Sequence, residues 1–257
     1  MEVKELTYWF DKQQTKGFEQ LSFTIPPQAI TTLVGANGAG KSTLLQLLAG
    51  VRQAMTGEIV INQTPLQVWS AKKRAQTIAF LPQTHTLPVE MTVEKLVSMG
   101  RLPYQGIRLQ LTAHDQQAIE QALVDCDLVA LRHQAFGQLS GGQQQRVRLA
   151  MLFAQEAHYL LLDEPTTYLD IYYQQECLQL IRTVQEARQV TVIMILHDLQ
   201  QAFSYSDFVW GLKAGELVFQ QPATELPTNE VLETVFGLSF FTQKLGNQVV
   251  ILPQVKQ

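Results

Sequence analysis

The chain has 257 residues, 46% hydrophobic and 16% charged, enough to bury a sizeable core in one large domain or a domain with a subdomain. A formal net charge of -4 and a pI near 5.7 provide no bulk attraction to nucleic acid or anionic lipid, so nucleic acid is not an expected partner. Its two cysteines, Cys126 and Cys177, are too few for a disulfide framework, and the N-terminal MEVKELTYWF lacks the basic-then-apolar layout of a signal peptide.

In chain order, the first core strand is expected at ITTLVG (residues 30–35), running directly into GANGAGKST (35–43) and a helix that opens KSTLLQLLAG. Glycines followed by a lysine and a hydroxyl residue, between strand and helix, fit the phosphate-binding loop pattern. Such a loop lets the backbone N–H groups of Gly35, Ala36, Asn37, Gly38, Ala39 and Gly40 curl around phosphates, and the helix N-terminus adds partial positive charge. Lys41 is expected to reach the β- and γ-phosphates, and Ser42, beside Thr43, to hold Mg2+. A second strand, TIAFLP (77–82), ends at Gln83, whose amide can bridge Mg2+ or an attacking water.

Beyond Gln83 the pattern changes to short amphipathic helices. Thr92 is placed to cap VEKLVSMG, and Thr112 with Asp115 has the spacing of a capping box. This helical insert carries LSGGQQQR (139–146), in which Ser140, Gly141 and Gly142 precede an apolar-periodic run. That is how a helix N-terminus offering N–H groups to an anion is written, so one chain holds two anion cradles.

HYLLLDE (158–164) is apolar nearly throughout, as a strand buried on both faces should be. It ends in Asp163, suited to Mg2+, and Glu164, able to polarise a water. VTVIMILH (190–197) brings His197 to the carboxyl edge of the sheet, where ligands of such sheets collect. His85, His114, His133 and His158 fall in loops or helical patterns and are read as structural. FVWGLKAGELVFQQ (208–221) is a hairpin turning at Ala214 and Gly215, and the tail from Pro222 carries little pattern. Strands alternating with helices predict a parallel sheet wrapped by helices. No apolar run approaches the ~20 residues that span a bilayer, so any membrane role is expected to run through a partner. Both cysteines sit in helix-like runs and read as small buried residues.

Together these residues resemble the nucleotide-binding subunit of an ABC transporter. From about residue 3 to residue 237 each motif of that family occurs in order: the phosphate loop (35–43), Gln83, the signature (139–143), LLLDE (160–164), a loop ending at Asp170, and His197. The resemblance implies an α/β fold, a P-loop NTPase (RecA-like) core with a mostly parallel sheet, an N-terminal antiparallel β subdomain and an inserted α-helical subdomain. It divides a single nucleotide-binding domain into core and β subdomain (1–84 and 158–221), helical subdomain (about 85–157) and C-terminal extension (about 222–257). ATP and Mg2+ are the implied cofactors. Lys41, Ser42 and the loop bind phosphate; Ser42, Gln83 and Asp163 serve the metal; Glu164 is the general base and His197 senses the γ-phosphate. Adenine in this family stacks on an N-terminal aromatic, here Phe10, with Tyr8 on the same strand face as the alternative.

The family also accounts for the second cradle. Two copies meet head to tail, so Ser140, Gly141, Gly142 and Gln143 of one close on the γ-phosphate held by the other. MGRLPYQG, LDEPTTYLDIYYQ and LHDLQQAFSYSD further resemble the ATPases of iron-siderophore, haem and cobalamin importers. Those are homodimers at the cytoplasmic face of the membrane, under permease subunits served by a separate substrate-binding protein. The segment from Gln83 to about Arg108 would then form the groove for the permease, with Met91, Met99 and Tyr104 in it read as packing residues. The ATPase of a zinc or manganese importer or of an exporter stays open as an alternative, as does a soluble ABC ATPase such as one for iron-sulfur assembly.

Overall fold

Aromatic and β-branched residues start strands at once. β1 (Glu2–Trp9) leads into β2 (Gly17–Thr24), with Val3, Leu6 and Phe18 buried. β3 (Ile30–Val34) is buried at every position and delivers the chain to the phosphate loop and helix α1 (Lys41–Leu48). β4 (Thr56–Ile61) and β5 (Thr64–Pro65) complete an antiparallel sheet of order β2-β1-β4-β5. This computed structural model describes all residues except 12, 14, 15, 84, 85, 107–109, 247 and 255–257, so His85 and Arg108 lie outside the described residues. The chain divides into two compact units, residues 1–68 with 191–257, and residues 69–190.

In the second unit, Ser70 caps α2 (Ala71–Thr77), so Thr77 ends a helix where the apolar run predicted the start of a strand. β6 (Ile78–Leu81) follows, and α3 (Val93–Ser98) begins where Thr92 accepts the Lys95 N–H at 3.4 Å. α4 (Ala113–Asp125) opens with the expected capping box, Thr112 and Asp115 exchanging bonds of 2.9 and 3.2 Å. α5 (Gly141–Ala154), β7 (Tyr159–Asp163) and α6 (Ile171–Arg188) complete the unit, β7 lying parallel to β6. Leu96, Val97, Leu123, Val147 and Ala150 are wholly buried where α3, α4 and α5 pack together, each large aliphatic contributing about 1.5–3 kcal/mol. Tyr104 is a packing residue as read, its hydroxyl donating to Gln155 O at 2.9 Å under a guanidinium 4.0 Å from its ring. Cys126 and Cys177 are both buried, and desolvation raises both thiols, Cys177 to about 12.

Residues 191–257 return to the first unit. β8 (Thr191–Ile195), α7 (Leu199–Tyr205), β9 (Phe208–Lys213) and β10 (Glu216–Pro222) follow in order. β3 lies parallel between β8 and β9, and β10 pairs antiparallel with β9 through the expected turn, Ala214 and Gly215 at φ 47 and 89. The tail, which carried little pattern, holds α8 (Asn229–Phe236), capped by Thr228, and then a hairpin of β11 (Phe240–Leu245) and β12 (Gln248–Pro253). Antiparallel N-terminal strands with a mostly parallel α/β sheet are the expected fold. Among the described residues no helix is long and apolar enough to cross a membrane.

Candidate nucleotide site

In the first unit, β3 ends where the phosphate loop begins, and the loop is braced from both sides. Gly40 caps α1 at φ 103, a conformation that strains any side chain, and a Cβ there would lie 2.7 Å from Phe10 Cζ and 2.9 Å from Phe18 Cζ. Glycine at 40 thus lets the aromatic ring reach the loop. Ala39 N–H donates to Ala36 O at 3.2 Å, and Gly215 N–H donates to Ala39 O at 3.1 Å. Lys41 is buried, with Nζ donating to Gly35 O at 2.8 Å and Ala36 O at 3.0 Å, so its ammonium lies against the loop it is expected to serve. Ala36, Asn37 and Gly38 are exposed, while Ser42 and Thr43 are half-buried in the first turn of α1.

The two candidate adenine platforms differ. Phe10 packs edge-on against Phe18, centroids 5.1 Å apart, and opens into a cavity of about 310 Å³ shared with Asn37, Gly38, Lys16 and Lys213. The Tyr8 hydroxyl accepts a bond from Arg52 at 2.8 Å. The structure therefore sets Phe10, rather than Tyr8, at the cavity beside the loop. His197 is exposed just past β8, before Asp198 caps α7 by accepting the Gln201 N–H at 2.9 Å.

The second unit gathers the other candidates. Asp163 ends β7 at 3% exposure, and Glu164 follows at φ 54, an uncommon backbone for glutamate that costs of order 1–3 kcal/mol and clusters at functional sites. Gln83 Nε2 donates to Glu164 Oε2 at 2.6 Å, and Thr167 Oγ1 donates to the same oxygen at 3.0 Å. Sequence reasoning missed Thr167; its trace is the second threonine of PTTYLD. Ser140 is the N-cap of α5, its Oγ accepting the Gln143 N–H at 3.3 Å while Gln143 Oε1 accepts the Ser140 N–H at 2.9 Å. Gln143 therefore uses its side-chain oxygen to cap the helix. Gly141 is exposed, whereas Gly142 is buried where a Cβ would lie 2.5 Å from the Tyr173 ring, so only glycine lets α6 approach. Gln145 Nε2 donates to Pro165 O at 2.7 Å, tying the signature helix to the residue after Glu164. A cavity of about 320 Å³ brings Gln83, Gly141, Asp163 and Glu164 to one wall space.

A phosphate loop opening α1, a strand ending in paired carboxylates and a capped SGGQ helix define a nucleotide-binding cassette, and the comparisons agree. A family model for ABC transporters matches residues 18–167. The chain is 39% identical over 220 residues to the iron(3+)-hydroxamate import ATP-binding protein FhuC of Bacillus subtilis (strain 168), covering 86% of this chain and 82% of that one. It is 39% identical over 228 residues to the hemin import ATP-binding protein HmuV of Pseudomonas fluorescens (strain Pf0-1), covering 87% and 88%. A solved inward-facing structure described as a metal-chelate type ABC transporter superposes with a TM-score of 0.84 at 28% identity, over 99% of this chain and 97% of that one. The chain belongs to the ABC transporter family.

Proposed function

We propose that this chain is the ATP-hydrolysing subunit of an importer for an iron chelate, an iron-siderophore complex or haem, working as a head-to-tail pair of identical copies under membrane permease subunits. The capped N-terminus of α5 carries this reading. Ser140, Gly141 and Gly142 form an anion cradle that the chain's own phosphate loop leaves without a task, and a second copy gives it one. The import role rests on FhuC, HmuV and the metal-chelate transporter, each resembling most of the chain.

In this reading Phe10 stacks on adenine, and the N–H groups of residues 35–43 with Lys41 hold the phosphates. Ser42, Gln83 and Asp163 offer the hard oxygen donors that Mg2+ takes, and Asp163 is a buried carboxylate of the right kind. Among the described residues no group of three or more His, Cys, Asp or Glu could cage a metal, which suits an ion held largely by nucleotide phosphates and water. Mg2+ when bound neutralises charge on the phosphates. Glu164, steadied by Gln83 and Thr167, takes the proton of the attacking water, and His197 faces the γ-phosphate. Ser140, Gly141, Gly142 and Gln143 of the other copy close the site, so ATP binding shifts the pair toward the closed state and hydrolysis releases it. The permease holds the pair at the cytoplasmic face, and a substrate-binding protein delivers cargo from the other side.

Size-exclusion chromatography with ATP and Mg2+ tests the pairing: Glu164→Gln is expected to elute as a dimer, and a purely monomeric profile refutes the sandwich. Deleting the gene tests the cargo. Growth on a chelated iron or haem source should fall, and normal uptake of every such compound sinks the assignment.

A further inference from the structure

The stretch LSGGQQQR ends on Arg146, one helical turn past Gly142 and on the same face of α5. That face meets the opening turns of α6 at two points. Gly142 seats on the Tyr173 ring, where a Cβ would come within 2.5 Å, and Arg146 Nη2 donates to Glu176 Oε2 at 2.6 Å. The other oxygen of Glu176 accepts the Tyr172 hydroxyl at 2.6 Å, and the Tyr172 and Tyr173 rings stand edge to face with centroids 5.3 Å apart. Contacts thus run in a closed circuit from Gly142 through Tyr173, Tyr172 and Glu176 to Arg146 and back along α5. Asp170 anchors the circuit by accepting the Tyr173 N–H at 3.0 Å.

Stability does not account for this bridge. The Arg146 and Glu176 side chains are 25% and 30% exposed, and the second partner of Arg146, Asp127 at 3.1 Å, is 93% exposed. Ion pairs so open to water contribute little to folding. The geometry does more. Gly142 on Tyr173 and Gln145 on Pro165 O already tether α5, and Arg146, pointing about 100° round the helix from Gln145, restrains it from another direction. The N–H groups of Ser140, Gly141 and Gly142 sit at the end of α5 that these tethers orient. A misplacement of about 1 Å at a reacting centre costs on the order of 10²-fold in rate. The Tyr172 hydroxyl and the Arg146 guanidinium hold the Glu176 carboxyl below its ordinary value, so the bridge is charged at neutral pH.

We propose that Glu176 is a positioning residue for hydrolysis in the opposite copy. Through Arg146 and Tyr172 it fixes the cradle of its own α5 where the other copy's γ-phosphate arrives. The inference rests on the head-to-tail pairing proposed above and adds to it a residue outside the nucleotide motifs. Its consequence is directional: loss of Glu176 slows the site across the interface and leaves the site of its own chain intact.

Mixed pairs of two differently tagged copies, assembled with the membrane subunits of their own transporter, separate the two sites. Glu164→Gln silences hydrolysis by the copy that carries it. With Glu176→Ala on that same copy, the one live base faces the altered cradle. ATP turnover should then fall at least about tenfold below that of the pair with Glu176→Ala on the opposite copy. Arg146→Gln should give the same order, and Glu176→Gln, which keeps the shape but not the charge, should lie between Glu176→Ala and wild type. Isolated Glu176→Ala should bind nucleotide as wild type does and melt within about 2–4 °C of it. Equal turnover in the two arrangements, or slower turnover with Glu176→Ala on the live copy, overturns the inference. A fall in melting temperature of more than about 10 °C in both Glu176→Ala and Arg146→Gln overturns it as well, placing the bridge in the fold. Ser140→Asp, taken through the same two arrangements, checks the pairing itself. If it keeps the expected order while Glu176→Ala does not, the inference alone fails; if it too shows no such order, the head-to-tail reading fails.

Discussion

Gln83 donates its amide proton to Glu164 Oε2 across 2.6 Å, joining the end of the β6 segment to the residue after β7. Thr167 holds the same oxygen at 3.0 Å, so the carboxylate proposed as the base is oriented by two neutral donors. Glu164→Gln keeps the shape but cannot take a proton. The phosphate-release rate should fall about 10²–10⁴-fold, with nucleotide affinity nearly unchanged. Gln83→Ala removes one orienting bond and should lower that rate about tenfold. Fluorescent-nucleotide binding beside single-turnover kinetics separates the two effects, and a parallel loss of affinity in Glu164→Gln would contradict the assignment.

Ser140 has two roles that substitutions can separate. As N-cap it satisfies the Gln143 N–H, so Ser140→Ala should cost about 1 kcal/mol of stability. Aspartate caps helices as well as serine does, so Ser140→Asp should melt near wild type. Its negative charge would nevertheless face the phosphate of the opposite copy, and ATP-dependent dimerisation should disappear. Melting curves and size-exclusion profiles of the two variants should therefore rank them in opposite orders.

These roles were not equally legible in the sequence. β3, β7 and β8 are buried at nearly every position, which leaves unbroken apolar runs, and the phosphate loop and signature are local backbone devices written in glycine and serine. α2 escaped notice because AKKRAQT buries no side chain and so has no apolar stripe. The tail escaped because β11 and β12 expose Phe241, Leu245 and Leu252, which blurs the inside-outside alternation of a strand. Thr167 depends on side-chain geometry that spacing does not determine, whereas the capping role of Gln143 was written in the spacing of Ser140 and Gln143 and was masked by reading the stretch as an anion cradle.

Phe10 and Gly40 should behave as a coupled pair. Gly40→Ala must hold a side chain at φ 103, costing about 1–2 kcal/mol, and must also displace the Phe10 and Phe18 rings. Phe10→Ala removes the proposed adenine platform, and loss of one stacking ring should weaken ATP binding about tenfold. Because Phe10→Ala also clears one of the two clashes, the double variant should be more stable than the sum of the single changes predicts. Additive losses in a thermal double-mutant cycle would show that the ring does not press on the loop.

Arg101 and Asp115 give a prediction about pH. Arg101 is wholly buried, donating to Asp115 at 2.8 Å, Glu156 at 2.7 Å and Ala154 O at 2.8 Å. Burial alone would push the Asp115 carboxyl up, but the Thr112 N–H, the Arg101 guanidinium and the Thr112 hydroxyl together hold it below the usual carboxylate value of 3.8. Asp115→Ala leaves the buried cation with Glu156 as its one carboxylate and should cost about 1.5–3 kcal/mol near neutral pH. Since the folded carboxyl titrates below the unfolded one, its stabilisation is fully present above the unfolded pKa and is lost as pH falls through the folded one. The melting-temperature gap between wild type and Asp115→Ala should stay flat from about pH 8 to pH 5 and shrink below about pH 4. A gap that narrows between pH 7 and 5 would place the sensitive group elsewhere.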